Sequence, residues 1–431
     1  MMKKFYVLLV VLAMVCISSV ALAADVSVGG TVQLRSRDFD SLTYLKTDNS
    51  SAANQIDTQE RIMVDVNAKS GDIKAKISIW NDFDTWGRFE TTQGSVATAS
   101  TSSVAGHQHT YNNNTIGIRE GWILFPVADT GFFIKGGHQL LQLGNGLFFR
   151  SQHFGSDAWV AFRDDGPNHL GFVNVKISEG VTNAADDVDA YVIVDTFKIS
   201  EAAKVGIDIT MANDRKNTLK FAGGTNETQA QNIGVNYAGK LGPVSLKAQI
   251  DAQMGKAKFD APATNKKLKG NEIWVRGDVA MDPVAVNFTV ARGSGPKANQ
   301  TDYNQFVTFL DIDPHYTFIH EYKANGACGA KNQGFCNTTA LNAGAKFAAT
   351  KNLSIGADLW FLQATEKVAS KKTGAAAGAT TNDLGTEIDV KISWKLGESL
   401  VWNWDLGYLM PGDGLGNDEA SGIQGILAYT F

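Results

Sequence analysis

Residues 422–431 read GIQGILAYTF, and the sequence ends on the aromatic Phe431. Ile423, Leu427, Tyr429 and Phe431 share one parity, and Gln424, Ala428 and Thr430 share the other. That period of two describes a strand with one apolar and one polar face. A soluble sandwich can end on such a strand. A transmembrane barrel has to, because its last strand pairs with its first and leaves no open edge in lipid. The remainder of the sequence decides between the two.

Residues 1–23 have the form of a secretory signal peptide: Lys3 and Lys4, an apolar run over 5–15, and the small-x-small site Ala21-Leu22-Ala23. The run is short for a membrane anchor, and no stop-transfer charges follow it. Cys16 follows Val15, which is too large for the usual lipoprotein cleavage pattern. The expected mature protein is one domain over 24–431. No later stretch approaches twenty continuous apolar residues, which argues against helical spans. Glycine at 43 and proline at 8 suit many strands joined by tight turns. The formal charge of −5 becomes −7 once Lys3 and Lys4 leave, which argues against a nucleic-acid partner. Cys328 and Cys336 remain, eight residues apart in ANGACGAKNQGFCN, and in an exported chain they point to a local disulfide in an external loop. A metal pair is the alternative, although no third cysteine or nearby histidine completes a site.

The alternation of the last strand recurs along the chain. Val26, Val28, Val32 and Leu34 oppose Thr31, Gln33, Arg35 and Arg37. Ile62, Val64 and Val66 oppose Arg61, Asp65 and Asn67; after the turn at 69–72, Ile73, Ala75, Ile77 and Ile79 oppose Lys74, Lys76, Ser78 and Trp80. The clearest case is 386–396, with Ile388, Val390, Ile392, Trp394 and Leu396 against Glu387, Asp389, Lys391, Ser393 and Lys395. Five charged or hydroxyl groups in a row cannot line a dry core, but they can line a water-filled pore. Short breaks fall at 69–72, 126–130, 164–167, 199–203, 240–243, 280–283, 311–314, 350–352 and 397–399. Longer polar connections alternate with them, the longest at 83–113. This inequality is the signature of short periplasmic turns and long external loops. The reading is all-β: a transmembrane antiparallel up-and-down β-barrel of about 20 strands, or 18 if elements merge around 303–322 or 144–163.

Two stretches break the pattern. In TIGIREGWILF (115–125), Arg119 and Glu120 take opposite parities, and a bulge near Gly117 or Gly121 would turn both inward. In IKGGHQLLQLGNG (134–146), clean alternation stops after Gly136. Both stretches resemble the Arg-rich and Gly-His/Arg-Gln strands of large Gram-negative porins, including the alginate-export-like group. More loosely, the chain is similar to the abundant porins of metal-reducing bacteria. The terminal Gly425, Leu427, Tyr429 and Phe431 resemble the closing-strand signal read by the outer-membrane barrel assembly machinery. The resemblance implies a location in the cell outer membrane, contact with the lipid bilayer and lipopolysaccharide, and a homotrimer as the usual assembly.

The candidate functional residues are the charges expected on the inner wall. Basic ones are Arg35, Arg37, Arg61, Lys74, Lys76, Arg119 and Lys135 in the first strands, then Lys247, Arg276, Lys391 and Lys395. Acidic ones are Asp65, Asp82, Asp208, Asp251, Glu272, Asp278, Asp358, Glu387, Asp389 and Asp405. Strand order maps onto position around a barrel, so one arc should be basic and the rest mixed or acidic, biasing ions that enter. The blander reading is that these charges only pair along the wall. No GxSxG, HExxH, P-loop or CxxCH motif is present, so no enzyme activity, cofactor or haem is expected. His107 and His109 could bind a metal, but two exposed histidines in a Ser/Thr-rich loop are the simpler reading, and no metal site is assigned. The expected function is a porin for passive diffusion of small hydrophilic solutes or ions, with 83–113 as the pore-constricting loop. The alternative is a structural barrel that sheathes or docks an electron-transfer or lipoprotein partner, which needs a lumen free of inward-folded loop.

Overall fold

The computed structural model describes residues 24–40, 55–85, 116–179, 186–215, 227–259, 265–297, 301–309, 316–321, 327–328 and 334–431. The expected signal peptide, His107, His109 and connection 83–113 beyond residue 85 lie outside them. Eighteen strands form the wall. The first six are β1 (Asp25–Asp40), β2 (Gln55–Ser70), β3 (Ile73–Thr85), β4 (Gly117–Pro126), β5 (Phe133–Gln142) and β6 (Arg150–Asp165). Next come β7 (Asn168–Ser178), β8 (Val188–Ser200), β9 (Ala203–Asp214), β10 (Glu227–Leu241), β11 (Val244–Lys258) and β12 (Asn271–Met281). The last six are β13 (Val284–Gly293), β14 (Thr338–Ala348), β15 (Leu353–Ala369), β16 (Thr380–Lys395), β17 (Leu400–Pro411) and β18 (Ala420–Thr430). A short piece, Lys266–Leu268, precedes β12 and extends its line, pairing with β11 along Gly255–Ala257.

Each strand pairs antiparallel with the next, and β18 closes on β1 from Thr31 opposite Thr430 to Asp40 opposite Ser421. The closure is tied at its end by Phe431 N–H to the Gly30 carbonyl at 3.1 Å and Gly30 N–H to the Phe431 carbonyl at 3.0 Å. A closed cylinder satisfies every wall strand's backbone within the sheet, the condition lipid imposes. Outward positions carry the apolar set: Leu34, Ile62, Ile209, Val235, Ile250, Ile388 and Tyr429 are exposed. Short turns such as 71–72, with Gly71 at φ +59°, alternate with longer connections at the opposite rim.

The count settles at 18 because the described parts of 303–322, residues 303–309 and 316–321, contribute no wall strand. The whole span between β13 and β14, 294–337, is one connection, and its described parts fold into the barrel. The expected turn at 311–314 lies outside the described residues. Around 144–163 there is likewise one long strand, β6, preceded by the inward-folded connection 143–149. These segments pack on two apolar clusters. In one, Leu143, Phe148, Phe149, Phe306 and Phe309 meet inward-facing Val175, Val188, Ala190, Val192, Ala212 and Ala230 of β7–β10. In the other, Leu147, Phe318, Ile319 and Phe335 meet Phe39, Trp360, Leu362, Leu384 and Leu409. Each buried Phe contributes about 2–3 kcal/mol of apolar transfer energy, which explains why aromatic segments enter a polar cylinder: part of that cylinder is apolar.

Candidate functional site: a charged and partly filled lumen

In the first arc, β1–β6, each of the cations named from the sequence except Lys74 has a wall partner or a ring against it. Arg37 grips Asp57 with two hydrogen bonds of 2.8 and 2.6 Å. Arg35 donates to Gln59, its neighbour across β1 and β2. Arg61 pairs with Asp82, which also bonds His153 Nε2 at 3.1 Å. Lys76 lies 2.6 Å from Glu120 and 3.4 Å from Asp65. Lys135 stands 4.0 Å over the Trp122 ring. Lys74, beside the 71–72 turn, is exposed.

Arg119 faces inward through a bulge. Ser78 opposes Glu120 while Ile79 opposes Ile118, so Arg119 is the extra residue on β4. Its guanidinium donates to the carbonyls of His153 at 3.0 Å and Gln152 at 2.6 Å. Beyond the bulge the parity reverses, and Trp122 donates to Glu120 at 2.9 Å inside the barrel, not at the lipid interface that its place before a turn suggests. Phe83 also leaves the alternation. With φ at +52° it sets its ring between Arg35 and Arg61, 3.3 and 3.7 Å from their guanidinium carbons. Strand parity alone does not find Asp57, Phe83 or His153 as members of this arc; the charged partner placed directly across the sheet is the signal for Asp57.

The second arc is mixed. Lys204, Lys247, Arg276 and Lys391 line a cavity of about 500 Å³ together with Asp358 and the rings of Trp274, Tyr316 and Trp360. Arg276 pairs with Asp278 at 2.7 Å. Asp405 lies between Lys391 and Gln424 in register, and Lys395 is exposed near its strand end. The acidic groups differ from the expectation of water-facing charges. Asp208, Asp251 and Glu272 face inward but are buried, and none pairs with Lys or Arg among the described residues. Glu387 and Asp389 are buried beneath residues 316–321, whose backbone they hold: Phe318 N–H reaches Asp389 at 3.3 Å, and His320 N–H reaches Glu387 at 2.9 Å.

Two other inward contacts fix the filling. Asn145 N–H donates to Gln249 at 2.7 Å, and Gln253 exchanges two hydrogen bonds with the backbone of Val307. Cys328 and Cys336 are joined by a disulfide in the 294–337 connection, with Cys336 buried beside Phe335. Among the described residues, no group of three or more His, Cys, Asp and Glu is arranged to hold a metal ion.

A closed 18-strand cylinder with an apolar exterior and a charged, partly filled interior has the fold of an outer-membrane porin barrel. Solved porins share it. OccK9 (OpdG) of Pseudomonas aeruginosa superposes with a TM-score of 0.59 at 10% identity, covering 94% of this chain and 98% of that one. A BenF-like porin from Pseudomonas fluorescens Pf-5 gives 0.57 at 10% identity, with 95% and 99% covered. OpdK of Pseudomonas aeruginosa, crystallised with vanillate, gives 0.56 at 8% identity, with 94% and 98% covered. No protein-family model matches the chain, and no curated protein matches it.

Proposed function

We propose that the protein is an outer-membrane channel through which small hydrophilic solutes or ions diffuse passively, with a preference for anions. The observation that carries this reading is the cavity of about 500 Å³ lined by Lys204, Lys247, Arg276 and Lys391. Across the barrel, the guanidinium groups of Arg35, Arg37, Arg61 and Arg119 add a second basic wall. A passage between two such walls lowers the barrier for anions and raises it for cations. The porin folds named above, one of them crystallised with an aromatic carboxylate, fit the same reading. In this reading 83–113 narrows the passage further, the barrel sits in the outer membrane against lipid and lipopolysaccharide, and the assembly machinery inserts it through the 425–431 signal.

The sheathing alternative needs an empty lumen, and Phe148, Phe149, Phe306 and Phe309 occupy it. Planar-bilayer recording of the purified barrel tests the proposal. Discrete conductance steps with a reversal potential on the anion side are expected, together with uptake of small carboxylates such as vanillate by proteoliposomes. A barrel that inserts and conducts nothing overturns it. Shortening 83–113 should raise conductance.

A further inference from the structure

The buried acids of the second arc have no role in the passage just described. Asp208 on β9 and Asp251 on β11 both stand opposite Gly234 of β10. Glu272 of β12 stands opposite Asp251, so one row of the wall reads Asp208, Gly234, Asp251, Glu272. The two aspartates converge on the space above the glycine. A Cβ at Gly234 would lie 2.6 and 2.8 Å from the two oxygens of Asp208 and 2.8 Å from Oδ1 of Asp251. Three carboxylate oxygens from two strands thus crowd together over the face of Gly234.

The next row supplies neutral oxygen. Asn232 stands opposite Thr210, on the same inward face. Its Nδ2 donates to Asp251 Oδ1 at 2.9 Å, while Gln249 Nε2 donates to Asp251 Oδ2 at 2.8 Å. Asn232 is 1% exposed, and its Oδ1 has no hydrogen-bond partner. The same holds for Thr210 Oγ1 and Asp208 Oδ2, and both oxygens of Glu272 are without partners as well. Two buried carboxylates facing each other, with only amide donors to offset them, leave charge that a bound cation would compensate.

We propose that Asp208 and Asp251, with Asn232 and Thr210 beside them, form a binding site for a hard divalent cation of the calcium type. All the donors are oxygen and none is sulfur or imidazole, which selects against the softer transition metals. Calcium takes carboxylate, amide and hydroxyl oxygens at about 2.3–2.6 Å and tolerates irregular geometry, and glycine at 234 puts no side chain between the two carboxylates. Glu272 adds negative charge from the adjoining strand. The ion also has a structural consequence. Asp251 is held by Gln249, and Gln249 accepts from Asn145, so a cation at Asp251 braces the inward-folded 143–149 segment against the wall. The proposal does not depend on which solute the channel passes.

Because the site is enclosed, it loads as the barrel folds. The mature chain is refolded in detergent free of lipopolysaccharide, with calcium or with EDTA, then desalted and assayed for bound calcium and thermal unfolding. About one retained calcium per barrel is expected, with a higher melting temperature for the calcium-folded sample. The double variant Asp208→Asn/Asp251→Asn should retain none and melt alike in both conditions. Should that variant fail to give heat-modifiable barrel, Thr210→Val/Asn232→Ala keeps both carboxylates and should lower retention at least about tenfold. A wild-type barrel that retains no calcium overturns the proposal. So does retention undiminished in whichever of the two double variants folds.

Discussion

Glu387 on the wall accepts the backbone N–H of His320 at 2.9 Å, and it takes the preceding N–H of Ile319 on its other oxygen. A side chain expected to face the water of the pore is the anchor for a turn that enters it. Hydrogen bonds to a charged acceptor contribute about 1.5–3 kcal/mol each. Glu387→Ala should therefore release the turn at 316–321 and raise mean single-channel conductance or its noise. The wall should survive, since β16 keeps its ladders to β15 and β17. Bilayer recording with a heat-modifiability gel separates the two effects.

Acid should act on the same turn through a different group. His320 is buried with neither ring nitrogen hydrogen-bonded, and burial pushes its imidazole down to about 4, with Lys371 adding repulsion. In a released turn the ring titrates at its ordinary 6.5. The neutral ring thus favours docking in full above 6.5, and this advantage falls as pH drops toward 4, at about 1.4 kcal/mol per unit. Channel noise should rise across that window, while His320→Phe, which isolates the ring from the carboxylates beside it, should show a flatter response. Identical pH profiles would remove the ring from the account.

Ion preference should follow the first arc. Arg37→Gln, Arg61→Gln and Arg119→Gln together leave Asp57 and Asp82 without their guanidinium partners. The reversal potential should move toward cation preference, most at low salt, where the Debye length is about 30 Å at 0.01 M. Conductance itself should change little.

Closure depends on a close approach. A Cβ on Gly30 would stand 2.6 Å from the Phe431 ring and closer still to the Met63 carbonyl. Deleting Phe431, or placing valine at Gly30, should lower the yield of heat-modifiable barrel in membrane fractions and leave more unassembled chain. An unchanged yield would detach the terminal residue from assembly.

The period of two was enough to read most of the wall. Residues 386–396 show why: with Ile388 out and Glu387 in, only one register keeps the apolar face in lipid, and the structure has it. The parity change at Arg119 was legible as a bulge because two adjacent charges cannot both face inward without one. The span 303–322 was misread for a physical reason. A run with apolar residues such as Phe306, Val307 and Phe309 can serve as a wall strand or as an inner filling. What separates the two is an apolar patch on the inside of β7–β10, and Val175, Val188 and Val192 reveal nothing of it until their facing is known. The burial of Glu387 was hidden for the same reason, since the turn that covers it, 316–321, comes from distant chain.

At Leu268 the sheet branches. The short piece Lys266–Leu268 lies on the wall beside β11, yet it also bridges Tyr303 in parallel, with Tyr303 N–H to the Lys267 carbonyl and Lys269 N–H to the Tyr303 carbonyl, both at 2.8 Å. Phe309 N–H to the Phe148 carbonyl then links this inner segment to the other one. Main-chain bonds of this kind do not depend on side-chain identity, so substitution can recolour the inner surface there without freeing it. The turn at 316–321 is held to the wall by two carboxylates. The interior is thus divided between a part whose position is inherited with the sheet and a part that one codon can set loose.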